Sequence, residues 1–316
     1  MDLGSRRARL AVFGLVLAAV ACSGPAAPVR QTAPAGQVTP AQPRLEYADV
    51  GGYRLAYECA GEGQPTVILE AGYTASGVDT YGGAILPAVA GNTRVCTYDR
   101  AGDGVSDARP ESVRPLTGAT QARELHSLLV AVHVGPPFIL VGHSYGGMIS
   151  REFGALYPGE VSGMVLIDAS SEPEIPVYDR LNAGSWIDGT VQPASNQQID
   201  IHATVRELER APSLGRMPLI VITAGVLEDQ WLQTVPRLEA EAQTRLAALS
   251  ADSIHVLDRG IGHFILSQDP QIVIAATQAV LPAAENRQVL APCARDFRAD
   301  PAALCLSAGQ LGHQQT

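Results

Sequence analysis

The stretch FILVGHSYGG, residues 138–147, carries an unbroken apolar run into a serine set between glycines. Its first half reads as a buried strand, and YGGMISREFGALYP after it reads as a helix stopped by Pro158. Ser144 therefore stands at a strand-to-helix turn with the spacing G-x-S-x-G. Alone, that spacing recurs by chance in many chains; with a strand before it and a helix after it, it describes a nucleophile elbow. The glycines follow from sterics, because a side chain at Gly142 or Gly146 would collide with the neighbouring strand or helix. The helix N-terminus also turns its amides and positive dipole end towards the serine, where oxyanion charge develops in acyl transfer.

Outward from this turn, strand-like and helix-like segments alternate from about Arg44. RLEYADVGGYRLAYECAG reads as a hairpin turning at Gly51-Gly52. TVILEAG and TRVCTYDRAG are short strands, and TGATQARELHSLLVAVHV places Leu125, Leu128, Leu129 and Val132 at helical spacing. VSGMVLIDAS and MPLIVITAG are two more buried strands, and DSIHVLDRGIGHF is read as containing the last one. Short, continuously apolar strands separated by helices predict a mostly parallel central sheet flanked by helices. The long connection after Ser170 holds one expected helix, DIHATVRELERA, and a polar Pro/Gly-containing excursion at about residues 170–198, read as a small lid or cap.

Composition narrows the chemistry. The 316 residues are 46% hydrophobic, enough for one large α/β domain. A net charge of −10 argues against a nucleic-acid partner, which needs a basic face. All 22 basic residues are arginine, which removes Schiff-base, P-loop and kinase chemistries, since each needs a lysine.

Residues 1–21 read as an export signal: Arg6, Arg7 and Arg9 precede an apolar stretch too short to span a bilayer comfortably. It ends in AVAC, which resembles a bacterial lipobox and implies lipidation of Cys22. Residues 22–43 are rich in Pro, Ala and Gln and read as an extended tether. The expected product is an exported lipoprotein of the cell envelope, its soluble domain held at a membrane surface. Outside the cell, disulfides persist. Cys293 and Cys305 flank a short segment and are paired on that ground, which leaves Cys59 with Cys96. Zinc is the alternative for these cysteines, but no CxxC or close histidine pair supports it.

From Tyr47 to about Pro282 the chain resembles the α/β-hydrolase superfamily. The strings that carry the resemblance are ILEAG, YDRAGDGVSD, ARELHSLL, LVGHSYGG, VLIDAS and GIGHF, in the family's order. The resemblance implies a domain over residues 44–316, with 283–316 as a C-terminal extension. It implies that the hairpin's second strand lies antiparallel beside RVCTYD, which suits a Cys59–Cys96 cross-strand bridge. It also implies His263 in GIGHF as the base. His143 takes the place of the family's usual elbow histidine. The oxyanion donors implied are the amides of Tyr145 and Tyr73; many relatives carry His-Gly where this chain has Ala71-Gly72. For the acid, Asp168 at the end of VLIDAS is preferred, with Glu228 and Asp229 in AGVLEDQW as alternatives, since Glu228 fills the usual aspartate slot.

The expected chemistry is hydrolysis of an ester-like small molecule through an acyl-enzyme on Ser144, with no cofactor and no metal. Amidase, thioesterase or lipase action on the same triad, and a non-catalytic binding lipoprotein, are the alternatives. Serine at the nucleophile position argues against dehalogenase and epoxide-hydrolase chemistry, which use a carboxylate there. Trp186 and Trp231 are the candidates to border an acyl pocket.

Overall fold

The computed structural model describes residues 43–110, 116–182, 199–228, 233, 235–293, 297 and 301–306. Cys22 with its tether, Asp229, Trp186, Trp231 and residues 183–198 of the expected lid lie outside the described residues.

Among the described residues the strands are β1 (Glu46–Asp49), β2 (Arg54–Ala60), β3 (Thr66–Glu70), β4 (Val95–Tyr98), β5 (Phe138–His143), β6 (Val161–Ile167), β7 (Leu219–Ala224), β8 (Ser253–Asp258) and β9 (Ala303–Leu306). They form one sheet in the order β1-β2-β4-β3-β5-β6-β7-β8-β9. The run from β4 to β8 is parallel, while β1, β2 and β9 are antiparallel additions at the edges. Helices cover both faces: α1 (Gly77–Gly82), α2 (Ile85–Ala90), α3 (Gly118–Ala131), α4 (Tyr145–Leu156), α5 (Ile175–Asn182), α6 (Ile201–Leu208), α7 (Pro236–Ala247), α8 (Ile265–Gln268) and α9 (Pro270–Asn286). This is the α/β-hydrolase fold.

The unbroken apolar strands are explained by what lies on each side. Alternate residues of a strand face opposite ways. Leu69, Val141, Ile167 and Ile222 pack into a core with α2 and α9. Ile68, Leu140, Leu166 and Val221 pack into a second core with α3, α4 and α6. Water therefore touches neither face of the central strands, and no polar residue is needed at alternate positions. Local chemistry sets the element ends. Asp49 Oδ1 accepts the Gly51 and Gly52 amides at the hairpin turn, and Asp200 Oδ1 accepts the Ala203 amide at the start of α6.

The sequence reading fails at the C-terminus. β8 is not the last strand: β9 pairs antiparallel with it, His255 opposite Leu306 and Asp258 opposite Ala303. Residues 283–286 belong to α9, so the extension begins later than residue 283, and part of it completes the sheet. ALCL is short and lies on an edge, so its pattern alone could not distinguish it from a loop. Both disulfides are present. Cys59 and Cys96 face each other across the β2–β4 register, and Cys293–Cys305 ties the segment after α9 to β9.

Leu140 is 1% exposed between β5 and the α3–α4 layer, whereas Val130 on α3 is 61% exposed. Leu140→Ala should cost about 2–5 kcal/mol through lost contacts and a residual cavity. Val130→Ala should stay within about 0.5 kcal/mol. Urea midpoints of the two variants compare them directly.

Candidate active site

Ser144 caps the N-terminus of α4 with φ +53°, a left-handed conformation that a side-chain-bearing residue adopts only under constraint. The constraint is close packing on both sides of the turn. A Cβ on Gly142 would lie 2.6 Å from the Gly146 carbonyl oxygen and from Ser150 Oγ. One on Gly146 would lie 2.4 Å from the carbonyl oxygens of both Glu70 and Ala71 at the end of β3. The turn is held further by its own backbone: the Ser144 amide donates to the Ile167 carbonyl, and the Ser170 amide donates to the Ser144 carbonyl.

Three of the predicted residues meet at this turn. His263 Nε2 is 3.0 Å from Ser144 Oγ, and His263 Nδ1 is 2.7 Å from Asp168 Oδ2. A carboxylate only accepts, so Nδ1 carries the proton and Nε2 is free to accept from the serine hydroxyl. Asp168 itself has φ +40°, and its Oδ1 accepts the Ala224 amide at 2.9 Å. The carboxylate is thus anchored to β7 while it orients the imidazole.

Glu228 borders the same cavity but makes no hydrogen bond to His263. Its side chain packs against Gly262, and its Oε1 lies 3.5 Å from Gln268 Nε2. His143 is buried, and its Nε2 donates to the His263 carbonyl at 2.8 Å, so it fixes the backbone of the histidine loop.

Electrostatics follow the geometry. Burial works against a charge on Asp168, but the hydrogen bond and charge of His263 and the Ala224 amide outweigh it, so its pKa is lowered. Burial likewise disfavours imidazolium at His263, yet Asp168, with help from Glu239 and Glu228, raises its pKa above the ordinary value. His143 goes the other way, to about 4, through burial first and the neighbouring His263 charge second.

The loop after β3 carries Tyr73, one of the two expected amide donors. Gly72 packs against the elbow, since a Cβ there would lie 3.5 Å from Ser144 Cβ. The loop is clamped from behind by Arg100, a fully buried guanidinium that donates to the Ala71 carbonyl at 2.6 Å and to the Gly72 carbonyl. Arg100 pairs with Glu70 at 2.8 Å, and Tyr98 donates to the other oxygen of Glu70 at 2.6 Å. In a trans peptide the Gly72 carbonyl and the Tyr73 N–H point opposite ways, so the clamp turns that N–H away from Arg100. Arg100 was visible within YDRAGDG, but nothing in the spacing showed which carbonyls it would hold. The Tyr145 side chain goes into the core, donating to Gln121 at 2.7 Å, and does not line the cavity.

A cavity of about 850 Å³ opens over Ser144, within the range of small-molecule sites. The half-exposed Val226 and the exposed Phe264 stand beside it. Its far wall comes from Glu174 and Tyr178, at the start of α5 in the stretch expected to form a lid, and from Glu239 and Gln243 on α7, which the sequence reading does not single out. Nothing in PRLEAEAQTRLA distinguishes the Glu239 and Gln243 positions from an ordinary solvated helix face.

Residues 65–202 match the family described as the alpha/beta hydrolase fold. An uncharacterized protein, YqjL of Bacillus subtilis, is 28% identical over 233 residues, covering 69% of this chain and 84% of the relative. A monoacylglycerol lipase of Mycolicibacterium smegmatis is 32% identical over 137 residues, 42% of this chain and 47% of that protein. Among solved structures, a membrane phospholipase A superposes with a TM-score of 0.56 at 20% identity, covering 78% of this chain and 87% of that one.

The charge of Asp168 stabilises protonated His263, so NMR titration should show this imidazole protonating above about 6.5. Its pKa should fall in Asp168→Asn, where that charge is gone, and fall less in Glu228→Gln. Strand order, helix layers and the strained serine turn give the chain the α/β-hydrolase fold, and residues 65–202 are similar to the family of that name.

Proposed function

We propose that the protein is a serine hydrolase that cleaves a carboxylic ester through an acyl-enzyme. The observation that carries this is the pair of hydrogen bonds Ser144–His263–Asp168, at 3.0 and 2.7 Å, at the floor of the cavity. His263 takes the Ser144 proton as the oxygen attacks the carbonyl carbon, and the Asp168 carboxylate stabilises the imidazolium that forms. The amides of Tyr73 and Tyr145 hold the oxyanion, the second at the head of α4 where the helix dipole is positive. Protonated His263 then donates to the leaving alcohol. Water, deprotonated by the same nitrogen, releases the acid and restores Ser144.

The export signal, lipidated Cys22 and tether complete the proposal: the enzyme works at the envelope surface, held by a lipid anchor.

Hydrolysis of p-nitrophenyl esters from C2 to C16 by the purified protein tests the chemistry. Ser144→Ala and His263→Ala should each lower kcat by about 10⁴-fold or more, and Asp168→Asn by about 10⁴-fold. Glu228→Gln should stay within about tenfold, having no bond to the imidazole. Turnover in Ser144→Ala equal to that of the parent sinks the mechanism, and failure to label with a fluorophosphonate points instead to a binding scaffold.

The anchor has its own test. The protein expressed in a bacterial host should sediment with membranes and carry the mass of a lipid on Cys22. Cys22→Ser should be released in soluble form with hydrolysis intact.

A further inference from the structure

The far wall of the cavity holds a polar group that the hydrolytic chemistry does not use. Gln243 on α7 is 1% exposed and borders the cavity. Its Nε2 donates to the Ala169 carbonyl at 2.9 Å, which fixes the orientation of the amide, because a carbonyl cannot donate. The carboxamide oxygen is then left as a buried acceptor with no partner among the described residues. An unsatisfied buried acceptor costs free energy unless something donates to it.

The groups around it are already engaged with one another. Tyr178 donates to Glu239, Glu174 accepts the Ser171 amide at 2.5 Å, and Glu174 and Glu239 hydrogen-bond to each other. Two carboxyls in contact share a proton, and burial raises the pKa of both. Asp79 and Glu228 add carboxylates to the lining, and among the described residues no arginine lines it. In a chain whose basic residues are all arginine, a carboxylate-bearing ligand would meet like charge along this wall.

We propose that this wall, built by Gln243 with the Glu174–Glu239 pair, is a recognition subsite for an ammonium group of the substrate. An ammonium supplies the N–H that the Gln243 oxygen lacks, and its charge matches the acidic lining. The esters selected are then amine-bearing rather than plain aliphatic ones. The subsite rests on the cavity being the substrate site of the proposed hydrolase.

Binding separates the two. Ser144→Ala protein, which cannot turn over, is titrated with 4-phenylbutylammonium, 4-phenylbutanol and 4-phenylbutyrate by ligand-observed NMR. The ammonium should bind about tenfold tighter than the alcohol, with the carboxylate weakest. Adding Gln243→Leu or, separately, Glu239→Gln should shrink the ammonium-to-alcohol ratio by about tenfold. The alcohol is an internal reference, so a general loss of fold weakens both ligands and leaves the ratio unchanged. Ammonium binding no tighter than the alcohol, or a ratio unmoved in both variants, overturns the subsite even when Ser144-dependent ester hydrolysis is found. The expected ratios with no hydrolysis by the parent protein keep the subsite and overturn the esterase reaction instead.

Discussion

The close approach of the β5–α4 turn to the end of β3 is the constraint on which the site depends. Gly146 lies so near the carbonyls of Glu70 and Ala71 that no Cβ fits between them. Ser144 is thereby forced into a left-handed turn and projects from the head of α4, beside the loop that carries Tyr73. The same loop is pulled from the other side by Arg100, which spends its hydrogen bonds on the Ala71 and Gly72 carbonyls. A buried guanidinium is costly unless it is paired with opposite charge. Glu70 and Asp103 supply the counter-charge, so the group that holds the Tyr73 loop is locked to β3 and to the loop after β4.

Parallel strands make the rest of the constellation local. β5, β6 and β7 run side by side in one direction, so their C-terminal ends lie together at one edge of the sheet. Ser144 follows β5, Asp168 follows β6, and the Ala224 amide that anchors Asp168 closes β7. His263 arrives from the loop after β8, its backbone held by His143. Glu228 sits on the β7 loop within range of the imidazole charge but not of its N–H, because Asp168 already occupies that donor.

The chain itself determined the elbow, the sheet and the histidine. G-x-S-x-G between an apolar strand and a helix, and GIGHF after the last parallel strand, are local patterns whose steric and chemical requirements are written in adjacent residues. The unbroken apolar strands reported burial on both faces for the same reason. Only tertiary structure placed Asp168 rather than Glu228 against His263 Nδ1, since that contact depends on the path of the histidine loop. It alone revealed β9, an edge strand too short to have a period of its own. It also brought Glu174 and Gln243, far apart in the chain, to one cavity wall, because contact between distant elements depends on packing and leaves no trace in local spacing.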